Sequence, residues 1–244
     1  MSPADQRFWS MLFAAMMLWS YPAAAAADCD SPQDPQAAII DCTQSINSGK
    51  WKGRYLAAFY SNRAAAYRAT GDSDRAMADL NEAIRLDPKL AMAFNNRGAA
   101  YNEQGDNERA IADLNEAIRL DPKFSMPFVN RGNAFSDKGD NDRAIADFSE
   151  AIRLDPKFDL AFNNRGGAFS DMGDYDSAIA DFNEAIRLNP EYDKAYLGRP
   201  EAFRYKGDFN RAVADYSEAI RLSPKSPLAY FARGRSYLFA RLHR

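Results

Sequence analysis

Apolar and small residues recur along this chain at helical spacing, and the whole pattern returns every 34 residues. Between Leu90 and Pro122, Phe94, Gly98 and Tyr101 fall on one face of a first helix, and Ala110, Leu114 and Ala117 fall on one face of a second. Spacings of three, four and seven carry side chains to one side of an α-helix. The first face repeats as the aromatic pairs Tyr60/Tyr67, Phe94/Tyr101, Phe128/Phe135, Phe162/Phe169 and Tyr196/Phe203. Small residues at matching places let the two helices approach: Ala64, Gly98, Gly132 and Gly166 on the first, Ala76, Ala110, Ala144 and Ala178 on the second. Gly-Asp at 71–72, 105–106, 139–140, 173–174 and 207–208 predicts the turn between them, with the aspartate capping the second helix. Pro88, Pro122, Pro156, Pro190 and Pro224 end each second helix, because the residue before a proline avoids the α region. The stretch EAIRLDPK, at 82–89, 116–123 and 150–157, therefore marks packing and helix termination.

One such hairpin buries too little apolar surface to stand alone, so the units must stack on one another. The expected fold is all-α, one continuous solenoid of antiparallel helix hairpins. Five full units run 57–90, 91–124, 125–158, 159–192 and 193–226, with partial units at both ends. At the front, residues 28–56 hold a lone second helix over Pro35–Ile46, with Ala38, Cys42 and Ser45 where Ala110, Leu114 and Ala117 stand later. A surface loop, Asn47–Lys52, follows it and carries Trp51. At the back, residues 227–244 repeat only a first helix, with Tyr230, Gly234 and Tyr237 in register. That segment is expected to cap the stack with a wet face of Arg235, Arg241 and Arg244, leaving Leu238 and Phe239 in need of cover; a truncated sixth unit is the rival explanation.

The second unit, Phe94-x-x-Arg97-Gly98-x-x-Tyr101, then Ala110-x-x-x-Leu114, then Pro122, resembles the tetratricopeptide repeat. The resemblance covers the chain from about Ala57 onward and implies a right-handed solenoid that binds protein or peptide segments in a concave groove. One departure is systematic: arginine (63, 97, 131, 165 and 199) stands where the family pattern has leucine. Pairing of these arginines with the repeated aspartates Asp79, Asp113, Asp147, Asp181 and Asp215, as structural contacts, is the expected reading.

The resemblance also points to candidate binding residues. Asn62, Asn96, Asn130 and Asn164, each just before a repeated arginine, take the place where family members hold the backbone of an extended peptide; Asn95, Asn163, Asn133 and Lys194 are expected on the same wall. An amide carries a donor and an acceptor together, which suits a peptide backbone of any sequence. The alternative is a ladder bonded only to neighbouring helices or water, and both readings stay open. Some members grip a C-terminal carboxylate with two lysines, two asparagines and an arginine. Here Asn133, Asn164 and Lys194 fill three of those places, but Val129 and Gly198 occupy the other two, so that clamp is not expected. The fifth unit also breaks pattern with Pro200 in mid-helix, where a lost hydrogen bond predicts a kinked or frayed helix.

Composition narrows the chemistry. Lysine plus arginine (31) nearly balance aspartate plus glutamate (34) for a net charge of −3, which is no nucleic-acid footprint. The one histidine, His243, argues against histidine catalysis and histidine metal sites, and no phosphate-cradling loop or nucleophile elbow is present. Acids recur once per repeat, as scaffold positions do. No cofactor, no metal and no catalytic activity are expected.

The first residues read differently from the rest. Phe8–Trp19 is a compact apolar run after a short polar start with Arg7, and Ala23–Ala27 is a small-residue end. This is the pattern of a signal peptide, with cleavage near Ala27; the run is too short for a span, which takes about 20 apolar residues. A soluble exported chain is expected, periplasmic if bacterial and otherwise secreted, with Cys29 and Cys42 joined by a disulfide. The functional expectation is a protein-interaction scaffold without a membrane span. Alternatives are a structural subunit that self-associates through its ends into a homo-oligomer, and a repeat domain parted from a catalytic partner.

Overall fold

The computed structural model describes Cys29 and residues 34–242; residues 1–27, read as a signal peptide, lie outside them, as do His243 and Arg244. Every regular element among the described residues is a helix. They are α1 (Pro35–Asn47), α2 (Gly53–Ala69), α3 (Ser73–Leu86), α4 (Ala91–Glu103), α5 (Asn107–Leu120), α6 (Ser125–Asp137), α7 (Asn141–Leu154), α8 (Asp159–Asp171), α9 (Tyr175–Leu188), α10 (Ala195–Tyr205), α11 (Phe209–Leu222) and α12 (Pro227–Leu242). Consecutive helices pack in pairs, as α2 with α3, α4 with α5, α8 with α9 and α10 with α11, which makes the fold an all-α repeat solenoid. The chain divides into two compact units, 1–131 and 132–244.

Short-range chemistry sets the helix ends where the repeat places them. At each intra-hairpin turn a glycine takes the left-handed conformation, with φ of 75° at Gly105, a region side chains avoid. The aspartate after it caps the next helix: Asp106 accepts from the Arg109 amide at 3.0 Å and Asp140 from the Arg143 amide at 3.2 Å. The guanidinium of Arg109, and next its backbone amide, hydrogen-bond the Asp106 carboxyl and hold it below the usual carboxylate range. At the other end Asp121 leaves the helix with φ −139° and ψ 91°, as a residue before proline should. Its side chain accepts from the Lys123 amide at 3.0 Å and closes the exit turn.

Within a hairpin the interface is built around glycine. A Cβ on Gly98 would lie 2.6 Å from Leu114 Cγ and 3.2 Å from the Ala110 carbonyl oxygen, so the missing side chain is what admits α5 against α4. Gly132 leaves the same room for Phe148. Ala110, Leu114 and Ala117 are all completely buried.

The front of the chain follows the repeat logic with one substitution. Helix α1 stands as a lone second helix that runs one residue past the expected Ile46, and residues 48–52 hold the loop after it, with Gly49 at φ 66°. Cys29 is disulfide-bonded to Cys42, the residue in the Leu114 place, with their Cα atoms 4.8 Å apart. Cys29, Cys42 and Phe59 form a buried cluster that Trp51 and Ile46 cover.

Pro200 gives a correction. A kink or fray is expected there, yet α10 continues unbroken through it from Ala195 to Tyr205. The departure falls at the entrance instead, where α10 starts two residues later than the register of α8 demands. A proline deletes one donor and crowds the carbonyl four residues back, leaving the other hydrogen bonds of the helix in place. The amides of Leu197 and Gly198 still bond the Lys194 carbonyl at 3.0 Å, and Pro200 itself is buried in the packing.

Candidate protein-binding surface

Two polar systems run along the first helices, adjacent in sequence but separate in their hydrogen bonds. In the first, repeated arginines chelate the aspartates 16 residues later on their own second helices. Arg97 donates from Nε to Asp113 Oδ2 at 2.6 Å and from Nη2 to Oδ1 at 2.8 Å. Arg63–Asp79, Arg165–Asp181 and Arg199–Asp215 have the same two-pronged geometry at 2.6–2.8 Å. The aspartates are buried, Asp113 at 8% exposure, so the pairing satisfies a desolvated charge. The hydrogen bond to Asp113 also raises the already high pKa of Arg97.

The remaining prong of the guanidinium reaches back to the preceding second helix. Arg63 Nη1 donates to Thr43 at 3.0 Å, and from Arg97 onward the reach is 16 residues: Arg97 to Asn81 at 2.8 Å, Arg131 to Asn115 at 2.5 Å, Arg165 to Ser149 at 2.9 Å and Arg199 to Asn183 at 2.6 Å. This double reach explains why arginine replaces the family's leucine: one side chain stitches its own hairpin and ties it to the helix before. The backward partner was legible as a polar residue (Asn81, Asn115, Ser149, Asn183, Ser217) 16 places before Arg97, Arg131, Arg165, Arg199 and Arg233, a signal that sequence reasoning passed over.

The second system is the asparagine series. In residues 1–131, Asn130 Nδ2 donates to Asn95 Oδ1 at 2.9 Å, Asn95 Nδ2 to Asn96 Oδ1 at 3.2 Å, and Asn96 Nδ2 to Ser61 Oγ at 3.2 Å. Asn95 and Asn96 are buried at 2% and 5% exposure, so here the amides form a closed ladder. Asn62 stands outside that ladder. In residues 132–244 the ladder is shorter: Asn163 Nδ2 donates to Asn164 Oδ1 at 3.0 Å, and Asn164 Nδ2 to Asn133 Oδ1 at 2.8 Å. Lys194 sits exposed on the loop that enters α10.

The two ladders differ in the acceptor of the second amide, Ser61 for Asn96 and Asn133 for Asn164, and in the fate of the first amide's oxygen. Asn95 Oδ1 receives the amide 35 residues on, whereas the residue 35 after Asn163 is Gly198, which has no side chain to offer. Asn163 Oδ1 is accordingly a buried acceptor with no partner among the described residues. A buried carbonyl oxygen left unpaired costs about 1–3 kcal/mol, so an incoming N–H is favoured there.

Family models for the tetratricopeptide repeat match residues 64–105, 132–173 and 201–238, and again 91–124 and 160–192. The chain belongs to the tetratricopeptide repeat family. Among solved structures it is similar to a chain in the crystal structure of the APC/C hetero-tetramer Cut9-Hcn1, with a TM-score of 0.76 at 18% identity; the alignment covers 83% of this chain and 39% of that one. It is similar too to a thermophilic tetratricopeptide repeat protein of Thermus thermophilus (TM-score 0.65, 18% identity, 75% of this chain and 99% of that one). A third is YrrB, a tetratricopeptide repeat protein with an unusual peptide-binding site (TM-score 0.56, 22% identity, 79% and 97%). At such identities the likeness is one of fold. No curated protein matches the chain.

Proposed function

We propose that this chain is an exported, non-catalytic protein-interaction scaffold whose amide-lined first helices take an extended segment of a partner protein. The observation that carries the reading is Asn163 Oδ1, a buried acceptor without a donor, beside the paired amides of Asn164 and Asn133. A peptide backbone supplies an N–H for that oxygen at any sequence, and the adjoining amides supply donors and acceptors for its next groups. Random ten-residue peptides displayed and selected on the wild-type chain provide the probe. Asn163→Ala is then expected to weaken a selected peptide about fivefold, the effect of one hydrogen bond of ~1 kcal/mol, with the helical circular-dichroism spectrum of the folded chain retained. Equal affinity for both chains would remove the segment from this wall.

Export rests on the apolar run Phe8–Trp19, the alanine tract behind it and the Cys29–Cys42 pairing, since disulfides persist in oxidising compartments. The chain recovered from the exported fraction is expected to begin near Asp28, with neither cysteine alkylated before reduction. A retained chain that still starts at Met1 and carries two reactive thiols would defeat the proposal.

A further inference from the structure

The first helices of residues 132–244 leave a donor open as well as an acceptor. Arg204 of α10 donates from Nη1 to Glu201 Oε2, and its Nε is buried with no hydrogen-bond partner among the described residues. Its surroundings explain why. Glu201 has its other oxygen engaged, since Tyr216 donates to Oε1 at 2.5 Å, and the guanidinium lies over the ring of Phe239 at 5.9 Å.

Elsewhere in the chain this edge of an arginine is filled. Nε and Nη2 form a fork that matches the two oxygens of a carboxylate, and Arg97, Arg165 and Arg199 close it on Asp113, Asp181 and Asp215. Arg68 is the counterpart of Arg204, four periods earlier. It places Nε and Nη2 on Glu103, 35 residues on, at 3.1 and 2.5 Å. The residue 35 after Arg204 is Phe239, which has no oxygen to offer, so no carboxylate among the described residues takes its fork.

By register this fork belongs to the same wall as the open acceptor. Asn163, Gly167 and Ser170 share one face of α8, and one period later that face of α10 carries Leu197, Glu201 and Arg204. Helices α8 and α10 are in contact, and at Gly167 nothing lies within 4 Å of where a Cβ would stand, so the floor beyond Asn163 is clear. The side chain of Arg204 keeps 13% exposure, which leaves it a way to solvent. Charge favours an acidic visitor. Residues 194–244 hold 11 of the 31 lysines and arginines but only 4 of the 34 aspartates and glutamates, a positive stretch in a chain of net charge −3.

We propose that Arg204 sets the specificity of the wall: the bound segment carries an aspartate or glutamate side chain whose two oxygens take the Nε–Nη2 fork while its backbone engages Asn163. This rests on the amide-wall reading and adds one acidic side chain to it. It differs from a grip on a C-terminal carboxylate, for which Val129 and Gly198 leave two of the required places uncharged.

The selection of ten-residue peptides is repeated on Arg204→Gln and Arg204→Glu chains, and the hits are synthesised with amidated C-termini. Wild-type hits are expected to share one acidic position. Replacing that residue by its amide should weaken binding to the wild-type chain about tenfold or more, the loss of a charge-assisted hydrogen bond, and leave binding to Arg204→Gln unchanged. Hits on Arg204→Glu should carry lysine or arginine there. Far-UV circular dichroism checks that the variants are folded, and the acid-to-amide exchange in the peptide needs no variant. Hits that depend on Asn163 yet tolerate that exchange, or lose equally on wild type and Arg204→Gln, overturn the acidic seat and leave the wall standing. Hits indifferent to Asn163 remove wall and seat together.

Discussion

Replacing Arg97 by alanine is expected to lower stability by about 3 kcal/mol or more, the cost of stripping one partner from a buried ion pair. The reason lies in what stays behind. Asp113 would keep its charge at 8% exposure with neither guanidinium prong to accept from, and Asn81 would lose its donor as well. The companion variant Arg97→Leu with Asp113→Ala removes the charges together and restores the residue type of the family pattern. Exchanging a buried pair for apolar groups of similar volume is often close to neutral, so this double variant should be more stable than Arg97→Ala alone. Urea melts of the three chains decide the matter. If Arg97→Ala matches the wild-type midpoint, the guanidinium is not a structural clamp and its role as an anion ligand reopens.

Much of the fold could be read from the residues because the determinants of helix ends are local. The Gly-Asp turns, the aspartate caps and the proline stops act within four residues of themselves, and each stands where the period placed it. The candidate site was less legible because its partners are remote. Asn62, Asn96, Asn130 and Asn164 form one series by position, yet their hydrogen bonds depend on residues far back in the chain. Where the residue 35 earlier is Ser61 or Asn95, the amide donates to it; Asn164, for which that residue is the apolar Val129, donates instead to Asn133. The ladder is thus closed around Asn95 and Asn96 and left open at Asn163. Pro200 departs from expectation for a related reason: a local rule supplies the missing hydrogen bond, but packing holds the helix through it.

Phe182→Ala is expected to cost about 3–5 kcal/mol, the range for truncating a buried phenylalanine. Its ring carries more than one hairpin. A Cβ on Gly166 would stand 3.2 Å from Phe182 Cε1, and one on Gly198 would stand 2.6 Å from the same atom, so the ring fills the seat in α8 and leans onto α10. The same lean explains the open acceptor at Asn163, because any side chain at 198 that could donate to it must first displace the ring. Gly198→Ala is therefore expected to destabilise by about 1–3 kcal/mol through overpacking in the wild-type chain. In a Phe182→Leu background, which has the residue type of Leu114, the shorter side chain leaves room, and the same substitution should cost less by about 1 kcal/mol or more. A double-mutant cycle in urea measures that coupling, and strict additivity would mean that ring and glycine do not compete for one space. Coupling of the expected sign makes the glycine at 198 a packing requirement of Phe182, with the unpaired amide of Asn163 as its chemical consequence.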